Sequence, residues 1–388
     1  MAPAWAPASR ALLLGNFAIG CGVMVVPGSL NDLTASLQVS VAVAGQLVSV
    51  AAVTMGVAAP LMAALMGAID RRRLLTLALV WYAAGHLLAV VMPGFAALLP
   101  VRAATMLAAA VFTPQAGAAI NLLAPPGERG RAITFIFLGW SLASVLGMPV
   151  HSYIGETFGW RWAFALVAVL SLAAAAAVWR TLPDGLRPPA MSLAGWGRVL
   201  GNPMLMGLVA VTVLSACGQF TLFSYFAPYF RQVLGATAAQ VSLLFLCFGA
   251  FGLLGNLLLT RWIDRVGAAT SVTFTLVLIA LSLLVWPLAV GVAGMALVLV
   301  PWALGCFASN SAQQARLSIS APGFTAALLA LNTSAMYLGQ AVGAASGGAT
   351  LTARGYEALP VAGLVWILLA TAASALLGWR MRGRVEHG

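Results

Sequence analysis

Residues 260–289 read TRWIDRVGAATSVTFTLVLIALSLLVWPLA. The stretch 269–289 carries no charge over its whole length, which meets the ~20 mostly apolar residues a helix needs to cross a bilayer. Just before it stands a short charged segment, Arg261, Asp264 and Arg265. The same alternation of apolar run and polar punctuation recurs at about 11–31, 41–66, 74–92, 98–122, 132–154, 161–180, 204–229, 239–260, 295–315, 325–350 and 360–379. The chain therefore reads as an all-α integral membrane protein with twelve spans.

Composition agrees. Of 388 residues, 62% are hydrophobic and only 7% charged, with a mean hydropathy of +1.01, whereas soluble domains carry roughly 25% charge. The spans leave nothing for a soluble head, which excludes an anchored enzyme or receptor of that kind. The net charge of +11 comes from 19 arginines and no lysine, against eight acids. In a membrane protein these arginines mark topology, so no nucleic-acid partner is expected. Placing both ends in the cytoplasm puts 15 arginines on that side, three outside (Arg161, Arg231 and Arg354) and one, Arg102, within a span. Cys21, Cys217, Cys247 and Cys306 each fall in an apolar stretch, with no close pair and no adjacent His. They read as reduced, small hydrophobes, and no metal or other cofactor is expected. Met1 to Arg10 lead into an apolar run that continues through Val26 without a cleavage site, so a cleaved signal peptide is not expected.

The longest polar interruption, 181–203 (TLPDGLRPPAMSLAGWGRVLGNP), is rich in Pro and Gly. It divides the chain into a six-helix bundle 1–180, a cytoplasmic linker 181–203 and a second six-helix bundle 204–388. An echo supports the division: GAIDRRRLL (67–75) follows the second span as TRWIDRVGAATS (260–271) follows the eighth. A parallel-repeat transporter has this organisation, with its site between the halves.

Four stretches resemble the major facilitator superfamily, and within it the drug and metabolite efflux branch of arabinose-efflux-type permeases. The first is the repeated Asp-Arg segment, similar to the family's G-x-L-A-D-R-x-G-R-K. Its second copy, through Asp264, Arg265 and Gly267, fits better. In the first, Met66 stands at the motif's Gly if Asp70 is its Asp; with Gly67 in the Asp place, Asp70 to Arg73 match the basic tail. An Asp at a helix start accepts backbone N–H bonds and, with Arg beside it, forms a charge latch. This makes Asp70, Arg71, Asp264 and Arg265 gating candidates, while the plain alternative is positive-inside arginines. The second stretch, Gly139-Trp-Ser-Leu-Ala-Ser-Val-Leu-Gly147-Met-Pro149-Val-His151-Ser-Tyr-Ile-Gly155 followed by Gly159-Trp-Arg-Trp-Ala-Phe164, looks like the family's antiporter motif. Small residues allow close helix approach and Pro149 removes a helix hydrogen bond, so Gly147 and Pro149 are further gating candidates, against generic small-residue packing. The third is Arg102, similar to the Arg of the family's fourth-helix motif. The fourth, 310–355, with Asn310, Gln313, Gln314, Arg316, Asn332, Tyr337, Gly339, Gln340, Gly343, Gly347 and Gly348, looks like the family's tenth and eleventh helices. Together they extend the resemblance over essentially the whole chain, and it implies a bacterial inner-membrane antiporter acting as a monomer.

A guanidinium at membrane depth costs at least ~2.5–3.5 kcal/mol at the centre unless it finds water or an acceptor. Asp32, at the outer end of the first span, is the acid nearest Arg102 in depth. His151 sits in a span with a side chain suited to carrying protons, or as an interfacial hydrogen-bonded residue; His86 lies mid-span and His387 in the tail. Asp32, Arg102 and His151 are thus the proton-coupling candidates. The remaining acids, Asp70, Glu128, Asp184, Asp264 and Glu386 inside and Glu156 and Glu357 outside, leave none in mid-membrane. This disfavours a lipophilic cation and suits a neutral or weakly charged solute. Substrate-binding candidates are the uncharged Asn16, Gln46, Gln115, Gln219, Tyr225, Asn256, Asn310, Asn332, Tyr337 and Gln340, with Trp140 as an aromatic wall; for each amide the alternative is interhelical hydrogen bonding. The expectation is a secondary transporter exporting a small metabolite, sugar, nucleoside or antibiotic by alternating access in exchange for protons, a function linked to multidrug resistance. The alternatives are a proton-independent facilitator, an uptake symporter or a non-transporting membrane sensor. With no His-rich, Cys–His or paired-carboxylate cluster, enzyme chemistry is not expected.

Overall fold

The computed structural model describes residues 5–39, 41–187 and 192–385, and among them there is no strand. Glu386, His387 and part of the linker, 188–191, lie outside the described residues. The first half of the chain forms α1 (Ala6–Gly28), α2 (Leu30–Leu37), α3 (Val41–Leu65), α4 (Arg71–Val90), α5 (Phe95–Leu123), α6 (Arg129–Leu142), α7 (Met148–Phe158) and α8 (Trp160–Thr181). The second forms α9 (Leu193–Leu200), α10 (Pro203–Phe223), α11 (Phe226–Gln232), α12 (Ala238–Val266), α13 (Ala268–Val285), α14 (Gly291–Ser320), α15 (Thr325–Arg354) and α16 (Leu359–Val385).

Among the described residues, eleven segments are long and apolar enough to cross a membrane, the fifth running from α6 into α7. The helix expected at 325–350 forms as α15 but is not one of the eleven. Asn332, Thr333, Ser334, Tyr337 and Gln340 dilute its hydropathy, so it depends on protein neighbours. Three expectations are corrected. The span 204–229 breaks after Phe223, with Ser224 and Tyr225 leading into α11. The span ending at 260 continues to Val266, so Arg261, Asp264 and Arg265 lie in the last turns of α12 rather than in a loop; Gly267, at φ 82°, ends it. The fifth span is two helices joined by a π turn, Ala143–Gly147. Pro149 has no N–H to give Val145, and such a local loss of the i→i−4 ladder is a recognised cause of helix widening and kinking.

The chain gathers into two compact units, Met1–Trp196 with Ala321–Ser334, and Gly197–Ser320 with Ala335–Gly388. Their packing repeats. In the first, α5 packs on α3 and α4, and α8 on α4 and α1; in the second, α14 packs on α12 and α13, and α16 on α13 and α10. Each second-unit pair is the first-unit pair displaced by half the chain, the signature of a parallel repeat. Within the second unit, Gly339, Gly343 and Gly347 press α15 on to the carbonyls of Val213, Cys217 and Thr221 along α10. These are two rows at four-residue spacing, and a side chain on the glycine row would strike backbone, which is the reason for glycine there.

Prolines inside helices create vacancies that neighbouring side chains fill. Pro27 in α1 leaves the Val23 carbonyl without its i+4 donor, and Arg102 Nη2 lies 3.3 Å from that oxygen. Pro60 in α3 does the same for Gly56, whose carbonyl accepts the Ser334 hydroxyl within the first unit. Each arrangement restores a partner to a backbone group that has no water to turn to in hydrocarbon.

Candidate functional site

The second unit contains a cavity of about 20 Å³ whose wall mixes apolar side chains, Val211, Val272, Leu276 and Met336, with polar ones. Thr212, Ser215 and Gln219 line it from one face of α10, at spacings of three and four, and Ser309, Asn310 and Gln313 line it from α14. Gln313 Nε2 donates to the Leu208 carbonyl, while its buried Oε1 has no partner. Gln219 donates to Ser215 Oγ at 3.2 Å and accepts the indole N–H of Trp302 at 3.3 Å. Trp302 joins this polar wall to an aromatic cluster with Phe226, Phe248 and Trp286, whose ring centroids lie 5.1–6.1 Å from its own. No acid is among the described lining residues. The volume is that of a water and far below the ~300–1,000 Å³ of ligand pockets, so a solute enters only as the cavity widens.

In the first unit, polar side chains converge on the carbonyls of Ile19, Gly22 and Val23 on α1. Arg102, 2% exposed, donates to Gly22 at 2.8 Å and to Val23. A cation is thereby held at membrane depth by backbone dipoles, its fork matching two acceptors at once. Tyr82 donates to Ile19 at 2.9 Å, and its ring lies where a side chain on Gly22 would stand. His86 and His151 are each 1% exposed. Gly147, in the π turn, packs on Cys21 and His151. Asp32 Oδ2 accepts the backbone N–H of Trp160 at 2.5 Å, capping the start of α8. The preceding Gly159 has φ 95°, a conformation that disfavours any side chain. The geometry thus gives Asp32 a structural task and gives Arg102 acceptors on α1.

The first Asp-Arg segment forms a network. Asp70 caps α4, its Oδ1 accepting the Arg73 N–H at 3.1 Å, as its position at a helix start foretells. Arg71, 1% exposed, donates to the carbonyls of Ile69 at 2.7 Å and Gly67 at 3.2 Å, and its backbone N–H bonds Leu186 of the linker. A cavity of about 40 Å³ adjoins it. In the second copy Asp264 and Arg265 are exposed.

Of the substrate-binding candidates, the cavity brings together Gln219 and Asn310. Asn16 is buried and donates to the Ile136 carbonyl at 3.1 Å, an interhelical bond. Gln115 is buried with Oε1 unpartnered, Trp140 is half-buried and Gln46 is exposed, all in the first unit. Asn332 is buried at the first unit's end of α15; Tyr337 and Gln340 are half-buried in the second unit. Tyr225 donates to Ala344 at 2.8 Å and Asn256 is fully buried on α12. Thr212, Ser215, Gln313 and Trp302 are missing from the sequence-derived set. The signal for three of them is helical spacing from Gln219 and Asn310; nothing local in the sequence points to Trp302.

Two repeated sets of long apolar helices with polar groups buried inside them define a multi-pass membrane transporter. The chain belongs to the major facilitator superfamily, whose family model matches residues 12–344. It is 30% identical over 359 residues to the inner membrane transport protein YdhP of Escherichia coli (strain K12), covering 92% of both chains. It is 26% identical over 369 residues to YbcL of Bacillus subtilis (strain 168), an uncharacterized MFS-type transporter, covering 94% of both. Among solved structures, the human organic anion transporter MFSD10 matches with a TM-score of 0.77 at 15% identity, over 96% of this chain and 100% of that one. The proton:xylose symporter XylE matches with 0.75 at 16% identity, over 96% and 95%. The fold is accordingly the twelve-helix fold of these transporters, and the protein is a transporter rather than an enzyme.

Proposed function

We propose that the protein exports a small neutral or weakly charged organic solute, such as a metabolite, sugar, nucleoside or antibiotic, by alternating access in exchange for protons. It does so as a monomer in the inner membrane, with both termini in the cytoplasm and with bundles 1–180 and 204–388 as the moving bodies joined by 181–203. The observation that carries this reading is the second-unit cavity. It offers hydroxyl and amide groups and an unpartnered Gln313 acceptor beside apolar side chains, without a carboxylate among the described lining residues. Amides and hydroxyls donate and accept in turn, which suits polyhydroxylated or amide-bearing solutes and leaves a cation unpaired. Asp32, Arg102 and His151 remain the proposed coupling residues, with Asp70, Arg71, Gly147, Pro149, Asp264 and Arg265 as gating residues.

The test is flux in proteoliposomes that enclose a pH-sensitive dye, under an imposed pH gradient and with a panel of neutral solutes outside. A solute-dependent proton flux that is lost in Gln219→Leu and Gln313→Leu, with both variants folded, is the expected result. Solute flux without proton movement would replace antiport with facilitated diffusion.

A further inference from the structure

We propose that His86 and His151 together form one proton-binding site, built against the carbonyls of Cys21 and Gly22 on α1 and limited to a single proton by Arg102. Its part in transport rests on the proton-exchange reading above, whereas the binding itself does not.

The geometry supplies the argument. His86 Nδ1 lies 2.8 Å from the Tyr82 carbonyl. A carbonyl only accepts, so Nδ1 carries the hydrogen, and Nε2 of the neutral ring is left as a lone pair. That Nε2 is buried and has no partner. The ring is fixed edge-on to Tyr82 at 4.4 Å between centroids and tilted against Phe164 at 5.7 Å, so the lone pair keeps its direction. His151 is more exceptional: both of its ring nitrogens are buried without a partner. A polar ring in that state is costly, and such a vacancy in a native core calls for an explanation.

The explanation is the carbonyl row. The Gly22 carbonyl faces His86 and the Cys21 carbonyl faces His151, while Arg102 bonds Gly22 and Val23. A proton arriving on either imidazole creates an N–H donor beside an oxygen already in place. His86 lies within electrostatic reach of both His151 and Arg102. Among the described residues, the titratable or charged groups facing the pair are Arg102 from α5, Tyr82 from α4 and Cys21 from α1. Asp32 is committed to Trp160. With one fixed positive charge alongside and low dielectric around, a second proton is opposed by two like charges, so the pair titrates as a unit.

The chain holds only three histidines, so protein labelled with ¹⁵N-histidine in lipid nanodiscs yields three imidazoles to follow between pH 4 and 9, with His387→Gln assigning the tail residue. The pair is expected to take up one proton. In His86→Gln, the proton affinity of His151 is expected to rise by about threefold or more, and in His151→Gln that of His86 likewise, with His387 unchanged. Imidazoles that do not titrate, or that titrate alike with and without each other, would overturn the proposal. If a single variant fails to fold, the wild-type curve decides: one proton bound across the pair supports the site and two independent protons refute it. Because no solute is needed, a protein that moves solute without protons would refute antiport and leave this measurement standing. Where antiport holds, His151→Gln is expected to release solute flux from proton flux.

Discussion

Among the described residues, Arg102 is one of three arginines that are at most 2% exposed, with Arg71 and Arg316, and all three turn to backbone carbonyls. Arg316 donates to both the hydroxyl and the carbonyl of Ser374. A planar fork reaches two acceptors where an ammonium presents a single point, so lysine is a poor substitute at such positions. Arg102→Lys is therefore expected to insert into the membrane yet lose about 1.5–3 kcal/mol of stability, read as a lowered unfolding temperature in detergent. Asp32 allows its two roles to be separated. An Asn Oδ1 still accepts the Trp160 N–H, whereas Ala leaves it unpaired at a cost of about 1–3 kcal/mol, so thermal unfolding should separate Asp32→Ala from wild type and leave Asp32→Asn closer to it. If Asp32→Asn also keeps pH-gradient-driven transport, Asp32 is a cap and the proton is carried elsewhere.

At the scale of the element, α15 and the α6–α7 pair show two uses of small residues. On α15, Gly343 abuts the Cys217 backbone. Gly343→Val is expected to cost about 1–3 kcal/mol by overpacking, measured as lost melting temperature and yield, whereas Gly127→Ala, with nothing within 4 Å, should be silent by the same assay. In the α6–α7 pair, Pro149→Ala returns an N–H to the ladder beside the π turn. The expected outcome is unchanged or slightly raised thermal stability together with slower solute exchange, since a straighter helix resists bending. The spans were legible because twenty apolar residues leave few alternatives in lipid. The π turn was not, because Pro149 announces a disturbance without saying whether the ladder breaks, kinks or widens. The end of α12 was misjudged for a related reason: Arg261, Asp264 and Arg265 look like a loop by charge, and only Gly267 stops the helix. At the cavity, Gln219 and Asn310 were legible as amides in apolar runs. Thr212 and Ser215 were not, since hydroxyls back-bond to their own helix and occur throughout membrane spans.

For the whole molecule, the arginine distribution yields a direct test of orientation. In a background without the four native thiols, Arg187→Cys is expected to resist a membrane-impermeant maleimide applied to intact cells, and Arg354→Cys to react; both side chains are exposed. The reverse pattern would invert the topology. The internal repeat was legible from the Asp-Arg echo, but its two copies differ in setting, one buried against backbone and one exposed, because pattern reports spacing and not neighbours. Pro27 with Arg102, and Pro60 with Ser334, carry one last implication, which concerns the order in which such a sequence can drift. Each pair is an open carbonyl and the donor that closes it. A lineage that replaces Pro60 first regains the helix's own donor and frees Ser334 to vary, whereas replacing Pro27 leaves Arg102 still held by the Gly22 carbonyl. One that replaces the side chain first must pass through a form with a bare carbonyl in hydrocarbon. Ser334 should therefore outlast Pro60 only briefly, Arg102 should outlast Pro27, and pairwise substitution experiments should find the Pro60 and Ser334 losses strongly dependent on sequence of introduction.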